Sequence, residues 1–207
     1  MRPCLGGRIG RLGKPSGYHH GDLREALIDT AMELAERAGP ESVSLRAAAR
    51  AAGVSATAPY AHFDDRDALL AAACARGIGQ LTTAIAACID QAPKPQAMSA
   101  FSHAFVEFGL RRPGFYRLLF VAPYIQQAPV GCDLHRAAKA AFDLLLTLFD
   151  PDLDDDQRRR LAMRLLTGLH GLILAEQALI LPDAPRVDPG GLVDDLVNAL
   201  LASSRDR

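Results

Sequence analysis

Apolar residues recur every three or four positions along most of this 207-residue chain. That spacing places them on one face of an α-helix, whereas a half-buried strand would alternate apolar and polar residues. No stretch shows sustained alternation, so the sequence predicts an all-α fold. The first helix is expected from the capping pattern at Asp22 and Glu25 to the Gly39-Pro40 pair. Its apolar stripe comprises Leu23, Leu27, Ala31, Leu34 and Ala38.

The same periodicity predicts further helices in the rest of the chain. A long helix is expected from Arg66 to about Gln91, capped by Asp64 or Asp65 and closed by the prolines at 93 and 95. The remaining apolar stripes predict helices over residues 98–110, 115–120, 135–149, 154–181 and 190–203.

Residues 44–63 predict two short helices joined by a tight turn. Ser44 can cap the first helix, the next eight residues are mostly strong helix formers, and Gly53 can adopt the left-handed conformation that ends it. Ser55 can cap a second helix from Ala56, in which Pro59 is the fourth residue and is expected to cost little. Two short helices joined by a glycine turn form a helix-turn-helix.

Polar side chains lie along this motif at positions suited to DNA binding. Hydroxyl, imidazole and guanidinium groups bind phosphates, and the first turn of the second helix meets base edges in the major groove. We predict base or near-base contact for Arg46 and Thr57, and phosphate contact for Ser44, Tyr60, His62 and Arg66. The full predicted set is Ser44, Arg46, Ser55, Ala56, Thr57, Tyr60, His62 and Arg66. The alternative is an αα-hairpin with a purely structural role.

The stretch from Tyr60 to Leu70, YAHFDDRDALL, resembles the TetR family of bacterial transcriptional regulators. The likeness extends back to about Tyr18. In the second half, residues 105–113, 115–120 and 169–172 resemble the regulator domain called WHG, although its tryptophan would fall near Leu166 and this chain has none. The resemblance implies an N-terminal three-helix helix-turn-helix DNA-binding domain and a larger helical domain for ligand binding and dimerisation.

Composition and this resemblance divide the chain into four parts. Residues 1–17 contain five glycines and two prolines among basic residues and predict a flexible basic arm. The arm either contacts phosphates or the minor groove, or has no role. The DNA-binding domain is expected over 18–65, a connecting helix over 66–92, and the helical ligand-binding and dimerisation domain over 93–207.

Aromatic and histidine side chains in the second half could line an apolar ligand pocket that contains a few polar groups. The candidate pocket residues are Phe105, Phe108, Tyr116, Phe120, His135 and His170. The alternative is a filled helical core with one or two hydrogen-bonded histidines.

Small residues on the predicted helix 154–181 allow another helix to approach closely. TetR-like regulators pair their last two long helices into a four-helix bundle, so the resemblance implies a homodimer. The candidate dimer seam consists of Leu165, Gly168, Leu169, Gly171, Leu172 and Ala175. The alternative is packing of these residues within one chain.

Several classes of function are disfavoured. A net charge of −1 argues against a general polyanion binder, and four separated cysteines without a C-x-x-C pair suit reduced thiols in a cytoplasm. The alternating aspartates at 150–156 lack the glycine and glutamate of a calcium loop, so no metal site is predicted. No cofactor is predicted either. No apolar run reaches eighteen residues, which predicts no membrane span. The common catalytic motifs are missing, so no enzyme is predicted.

These observations predict a cytoplasmic, homodimeric transcriptional regulator. It would be a repressor that binds double-stranded DNA at a palindromic operator and is released by a small, largely apolar effector. The alternative is a small-molecule-binding or scaffold protein without DNA-binding activity. Salt dependence separates the two, since DNA binding weakens steeply as salt rises.

Overall fold

The computed structural model describes residues 20–121, 130–178 and 188–205. Within these ranges the chain forms helices and no strand, which confirms the all-α prediction. The basic arm over residues 1–17 lies outside the described residues.

Helices α1 and α2 form the first part of the motif. Helix α1 spans His20–Ala38 and thus begins two residues before the start predicted at Asp22. Helix α2 spans Leu45–Ala52. Ser44 caps it as predicted, because its Oγ accepts the N–H of Ala47 at 3.1 Å. Gly53 ends it with a φ of 73°, the left-handed conformation that favours glycine.

The predicted second helix of the motif is a shorter 3-10 segment, Ala58–Ala61. In an α-helix capped by Ser55, residue 59 would donate the first internal hydrogen bond to the Ser55 carbonyl, and Pro59 has no N–H to donate. The N–H of Ala58 bonds that carbonyl instead, at 3.1 Å. The predictions that Ser55 caps this segment and that an α-helix begins at Ala56 are therefore wrong.

Three helices follow. Helix α3 spans Arg66–Gln91, as predicted, and the Asp65 carboxylate caps it by accepting the N–H of Ala68 at 2.8 Å. Helix α4 spans Ala97–Arg111. Helix α5 is a single turn, Pro113–Tyr116, that continues as the π-helical segment Arg117–Val121.

Helix α3 is the one helix of the described residues that is long and apolar enough to cross a membrane by length and composition. A core helix of a soluble protein meets the same criterion. Its Leu69, Leu70 and Ile78 are buried within the chain, as core residues are.

The last described helices are α6 at Asp133–Leu146, α7 at Asp155–Ala178 and α8 at Pro189–Arg205. The aspartate-rich stretch before α7 acts as a helix cap. Asp154 accepts the N–H of Gln157 at 2.7 Å, and the Gln157 side chain accepts the N–H of Asp154 at 3.2 Å. Among the described residues, no group of His, Cys, Asp and Glu could hold a metal ion.

The described helices fall into two compact units. The N-terminal unit contains the described residues 20–80, 112–121 and 130–139, in which α1 packs against α2 and α5. The C-terminal unit contains the described residues 81–111, 140–178 and 188–205, in which α4, α7 and α8 pack against one another. The core of the first includes Leu27, Ile28, Leu69, Leu70, Phe115 and Tyr116; that of the second includes Phe101, Phe105, Leu165, Leu169, Ile173 and Val193.

Candidate nucleic-acid interface

The motif presents a set of exposed side chains to solvent. Arg46 on α2 is exposed, as are Ser55, Ala56 and Thr57 in the turn that follows. The hydroxyls of Ser55 and Thr57 lie 3.2 Å apart and form a hydrogen bond in which either one can donate. Tyr60 is 55% exposed although it is large and aromatic. A tyrosine left in solvent keeps its ring and hydroxyl available for a partner.

Two buried residues fix the backbone of the 3-10 segment. Pro59 and Phe63 are buried, and the carbonyl of Pro59 accepts the N–H groups of His62 at 2.9 Å and Phe63 at 3.0 Å. The backbone that carries Tyr60 and His62 is therefore fixed by buried Pro59 before them and by buried Phe63 after them. The His62 side chain is half-buried.

Arg24 on α1 adds a positive charge that the sequence prediction missed. Its guanidinium lies 5.4 Å from the centre of the Phe63 ring, a cation–π contact, and its side chain is 44% exposed. Glu25 lies 3.3 Å from the same guanidinium and offsets part of its charge. The two residues are far apart in sequence, and nothing in the local pattern around Arg24 indicates that it lies beside Phe63.

Arg66 forms structural hydrogen bonds in addition to the phosphate contact predicted for it. Its Nε donates to the carbonyl of Val43 at 2.7 Å and its Nη2 donates to the carbonyl of Pro40 at 2.9 Å. The third nitrogen lies 3.4 Å from Asp67. These bonds fix the start of α3 to the loop before α2. The phosphate contact of Arg66 stays a prediction, since its guanidinium carries five N–H donors and 40% of its side chain is exposed.

A second arginine fixes α1 to α3. Arg76 forms an ion pair with Asp29 at 2.7 Å and a further ion pair with Glu25. Its side chain is only 20% exposed, so these contacts are partly shielded from water. Arg66 and Arg76 thus hold the three helices of the motif in one arrangement.

The six candidate pocket residues are divided between the two units. Phe105, Phe108 and His170 belong to the C-terminal unit, and Tyr116, Phe120 and His135 belong to the N-terminal unit. In the C-terminal unit the Phe105 and His170 rings meet edge to face, with centres 5.2 Å apart. Burial lowers the pKa of His170, which favours a neutral imidazole. The pocket stays a prediction.

The candidate dimer seam is partly core. Leu165 and Leu169 are fully buried within the chain, and a Cβ at Gly168 would collide with the Leu196 side chain of α8, 2.6 Å away. These three residues therefore pack α7 inside its own unit, which was the alternative reading of the small-residue stripe.

The rest of the seam faces solvent. Gly171 and Ala175 are exposed and Leu172 is half-buried. Two large apolar side chains of α7 and one of α8 are also exposed: Met163 at 54%, Leu174 at 43% and Leu192 at 37%. Both helices thus carry large apolar side chains that are not buried among the residues that the structure describes.

Two family models match the chain. The model of bacterial regulatory proteins of the tetR family matches residues 27–73, and the tetracyclin repressor-like C-terminal domain matches residues 98–200. This chain belongs to the TetR family. It is a DNA-binding transcriptional regulator, and the helix-turn-helix prediction is confirmed at the level of the family. The WHG subtype stays a prediction.

Two sequence relatives carry the name of uncharacterized HTH-type transcriptional regulators. YobS of Bacillus subtilis is 26% identical over 113 residues, which cover 55% of this chain and 59% of YobS. The match therefore spans less than two thirds of that relative. Rv0681 of Mycobacterium tuberculosis is 23% identical over 206 residues, which cover 100% of this chain and 90% of Rv0681.

Solved structures share the fold. A protein of unknown function from Rhodococcus sp. RHA1 is 28% identical, with a TM-score of 0.74 over 91% of this chain and 98% of that one. The regulator FadR from Bacillus subtilis, in complex with stearoyl-CoA, is 14% identical, with a TM-score of 0.63 over 85% of this chain and 96% of that one. At 14% identity, the similarity to FadR concerns the fold alone.

Arg66 bonds the backbone and Arg46 is exposed, so the same substitution should affect the stability of the protein differently at the two positions. Arg66→Gln should lower the free energy of unfolding by about 1–3 kcal/mol, because two backbone carbonyls lose a charged donor. Arg46→Gln, on an exposed site of the same motif, should stay within about 0.5 kcal/mol of the parent. Urea denaturation followed by circular dichroism measures both. Equal stability of the two variants would show that Arg66 does not hold the motif together.

Proposed function

We propose that this TetR-family protein is a repressor that binds a palindromic operator through the exposed surface of residues 44–62. The observation that carries this proposal is the group of exposed Arg46, Thr57 and Tyr60 on a motif whose backbone is fixed by buried residues. A rigid backbone positions such side chains without further ordering, which lowers the entropy cost of binding.

Each side chain of this surface has a distinct proposed role. Arg46 and Thr57 contact bases or lie next to them, since arginine and hydroxyl groups match base edges in the major groove. Tyr60, His62 and Ser55 donate to phosphate oxygens. Ala56 has only a methyl group, which lets the DNA backbone or a thymine methyl approach.

Two further residues complete the surface. Ser44 uses its oxygen to cap α2, and its hydroxyl proton stays available for a phosphate. Arg24, which lies over Phe63, adds a positive charge at the edge of the surface. Arg66 bonds two backbone carbonyls, and its 40% exposed side chain is proposed to contact a phosphate as well.

Operator binding tests these roles directly. We expect fluorescence anisotropy to show tight binding to the intergenic DNA beside the protein's own gene, with affinity falling steeply between two salt concentrations. Arg46→Ala should cost about 1–3 kcal/mol and relax selectivity at one base position, whereas Tyr60→Ala should weaken operator and scrambled DNA alike.

Arg159→Ala serves as the control for loss of an exposed arginine, because Arg159 lies on α7 outside the motif. It should bind like the parent. Unchanged operator binding by both Arg46→Ala and Tyr60→Ala would refute the proposed surface. Absence of any preference over scrambled DNA would call for selection of an operator from random duplexes.

We also propose that two copies of the chain pair through the exposed face of α7 and α8. The apolar side chains of Met163, Leu174 and Leu192 would then be buried against a partner, and exposed Gly171 and Ala175 would allow close helix approach. A two-fold protein also matches the symmetry of a palindromic operator.

A matched pair of substitutions tests this dimer. Ala175 lies on the proposed face, whereas Ala140 is exposed on α6. We expect sedimentation velocity to show a dimer for the parent and for Ala140→Glu. Ala175→Glu should shift the mass towards the monomer, because pairing would bury a charge in an apolar contact. A monomeric parent at micromolar concentration, or a dimeric Ala175→Glu variant, would contradict the proposed face.

We propose that the effector is small and largely apolar, and that the protein acts in the cytoplasm, where its DNA lies. Support comes from the aromatic residues of the C-terminal unit and the neutral imidazole beside Phe105. The structural relative FadR binds stearoyl-CoA, which has a long apolar chain. Release requires that the effector prefer the DNA-free state, since equal affinity for both states shifts nothing.

A further inference from the structure

Glu25 on α1 is shared by two arginines. Its Oε1 lies 3.3 Å from Nη1 of Arg24, and its Oε2 pairs with Nη2 of Arg76 on α3. Each carboxylate oxygen therefore faces a different guanidinium. All three residues belong to the N-terminal unit, so the arrangement is set within that unit. One negative charge is thus divided between two positive charges.

The two arginines are held with different strength. Arg76 is 20% exposed, and its Nη1 also bonds the Asp29 carboxylate at 2.7 Å and the Glu25 carbonyl at 3.3 Å. Arg24 is 44% exposed. Water and salt screen an exposed ion pair, which therefore adds little stability. Glu25 is thus held mainly by Arg76, and Arg24 is the partner that can leave at low cost.

Departure of Arg24 would not leave Glu25 without a partner. Arg76 would still pair with Glu25 and with Asp29, which lies one turn further along α1. Burial lowers the pKa of Arg76, and repulsion from Arg24 lowers that pKa further. Movement of Arg24 towards another anion would remove this repulsion, so the remaining ion pairs of Arg76 would become stronger.

The Phe63 ring keeps Arg24 at the edge of the proposed DNA-binding surface. The guanidinium lies 5.4 Å from the ring centre, and Phe63 is buried directly after His62. A cation–π contact is an electrostatic attraction to the ring and does not require an N–H donor, of which a guanidinium has five. Donors of Arg24 are therefore available to an anion at that edge.

The charges of this surface make a DNA phosphate the matching anion. Residues 44–62 contain Arg46 and Arg50 and no Asp or Glu. Through Arg24, Glu25 adds a carboxylate at the edge of this acid-free stretch, where it competes with a phosphate for the same guanidinium. Each strand of duplex DNA offers a phosphate about every 3.4 Å along its axis, so a competing anion is close at hand.

We propose that Arg24 exchanges the Glu25 carboxylate for a DNA phosphate when the protein binds DNA, and that Arg76 is the positioning residue for this exchange. Arg76 holds Glu25 towards α3, so the carboxylate competes only weakly for Arg24. Without Arg76, Glu25 would pair with Arg24 alone and keep it from the phosphate. This inference rests on the proposed DNA-binding function.

DNA binding by the full-length protein at several salt concentrations tests the exchange. The probes are the intergenic duplex beside the protein's own gene and a scrambled duplex of the same length, since a phosphate contact does not depend on sequence. Arg24→Gln should weaken binding to both duplexes alike and reduce the slope of log affinity against log salt by about 0.9, the value for one phosphate. Arg159→Gln, on α7, should keep the parent slope.

Glu25→Gln removes the competing carboxylate. It should raise the affinity for both duplexes about threefold or more at about 0.1 M salt, and it should have no effect in the Arg24→Gln background, because the exchange needs Arg24. Glu33→Gln is the matched control, since it removes the same charge from an exposed site of α1. Position 33 lies about 12 Å further along the helix, beyond the screening length of about 10 Å, so the affinity should stay within about 1.5-fold of the parent's.

Arg76→Gln should reproduce the salt slope of Arg24→Gln, because Glu25 then holds Arg24. Addition of Glu25→Gln should restore the parent slope, since no carboxylate competes any longer. A merely structural role of Arg76 would weaken binding without this restoration. If Arg76→Gln fails to fold, Arg76→Lys takes its place: an ammonium is a point charge that cannot bridge two carboxylates as a guanidinium does, so the slope should fall in part and Glu25→Gln should again restore it.

Three results would overturn the exchange while selective DNA binding by the parent leaves the proposed function intact. They are a parent slope in Arg24→Gln, an equal gain from Glu25→Gln with and without Arg24, and a loss in the Arg76 variant that Glu25→Gln does not restore. Equal binding of both duplexes by the parent, with the expected slopes, would refute the selective operator and leave the exchange intact. A parent that binds neither duplex would refute both.

Discussion

The bonds of Arg66 to the backbone carbonyls of Pro40 and Val43 are the constraint on which the DNA-binding surface depends. They join the start of α3 to the loop that precedes α2, so the two helices on either side of the 3-10 segment cannot separate freely. That segment is too short to be stable alone. The exposed positions of Tyr60 and Thr57 therefore follow from backbone contacts made by a residue outside their segment.

The sequence predicted the helices well, because their apolar periodicity, proline breaks and caps are local signals. Ser44, Gly53 and Asp65 each act at the helix end expected of them. The error in the motif arose at Pro59, which was expected to cost little but removes the first internal bond of an α-helix. The bonds of Arg66 to carbonyls more than twenty residues away depend on the folded chain, so the local pattern does not show them.

In the second half of the chain, too, the periodicity of apolar residues predicted the helices but not the partners against which they pack. Alternating small and large residues on α7 indicated a close helix contact but not which helix is the partner. Gly168 packs against Leu196 of the same chain, whereas Gly171 and Ala175 face solvent. The bond from Gln177 to Gly109 could not be foreseen, since it depends on Pro113 freeing a carbonyl that only the folded chain places beside α7.

Selection of binding sites from a library of random DNA duplexes is the most direct test of the central claim, that the protein recognises an operator through Arg46, Thr57 and Tyr60. We expect the parent to enrich an inverted repeat whose half-sites lie about 10 base pairs apart or a multiple of that spacing. Arg46→Ala should lose preference at one position in each half-site and keep the others. Failure of the parent to enrich any motif, or an identical motif with Arg46→Ala, would contradict the proposed recognition surface.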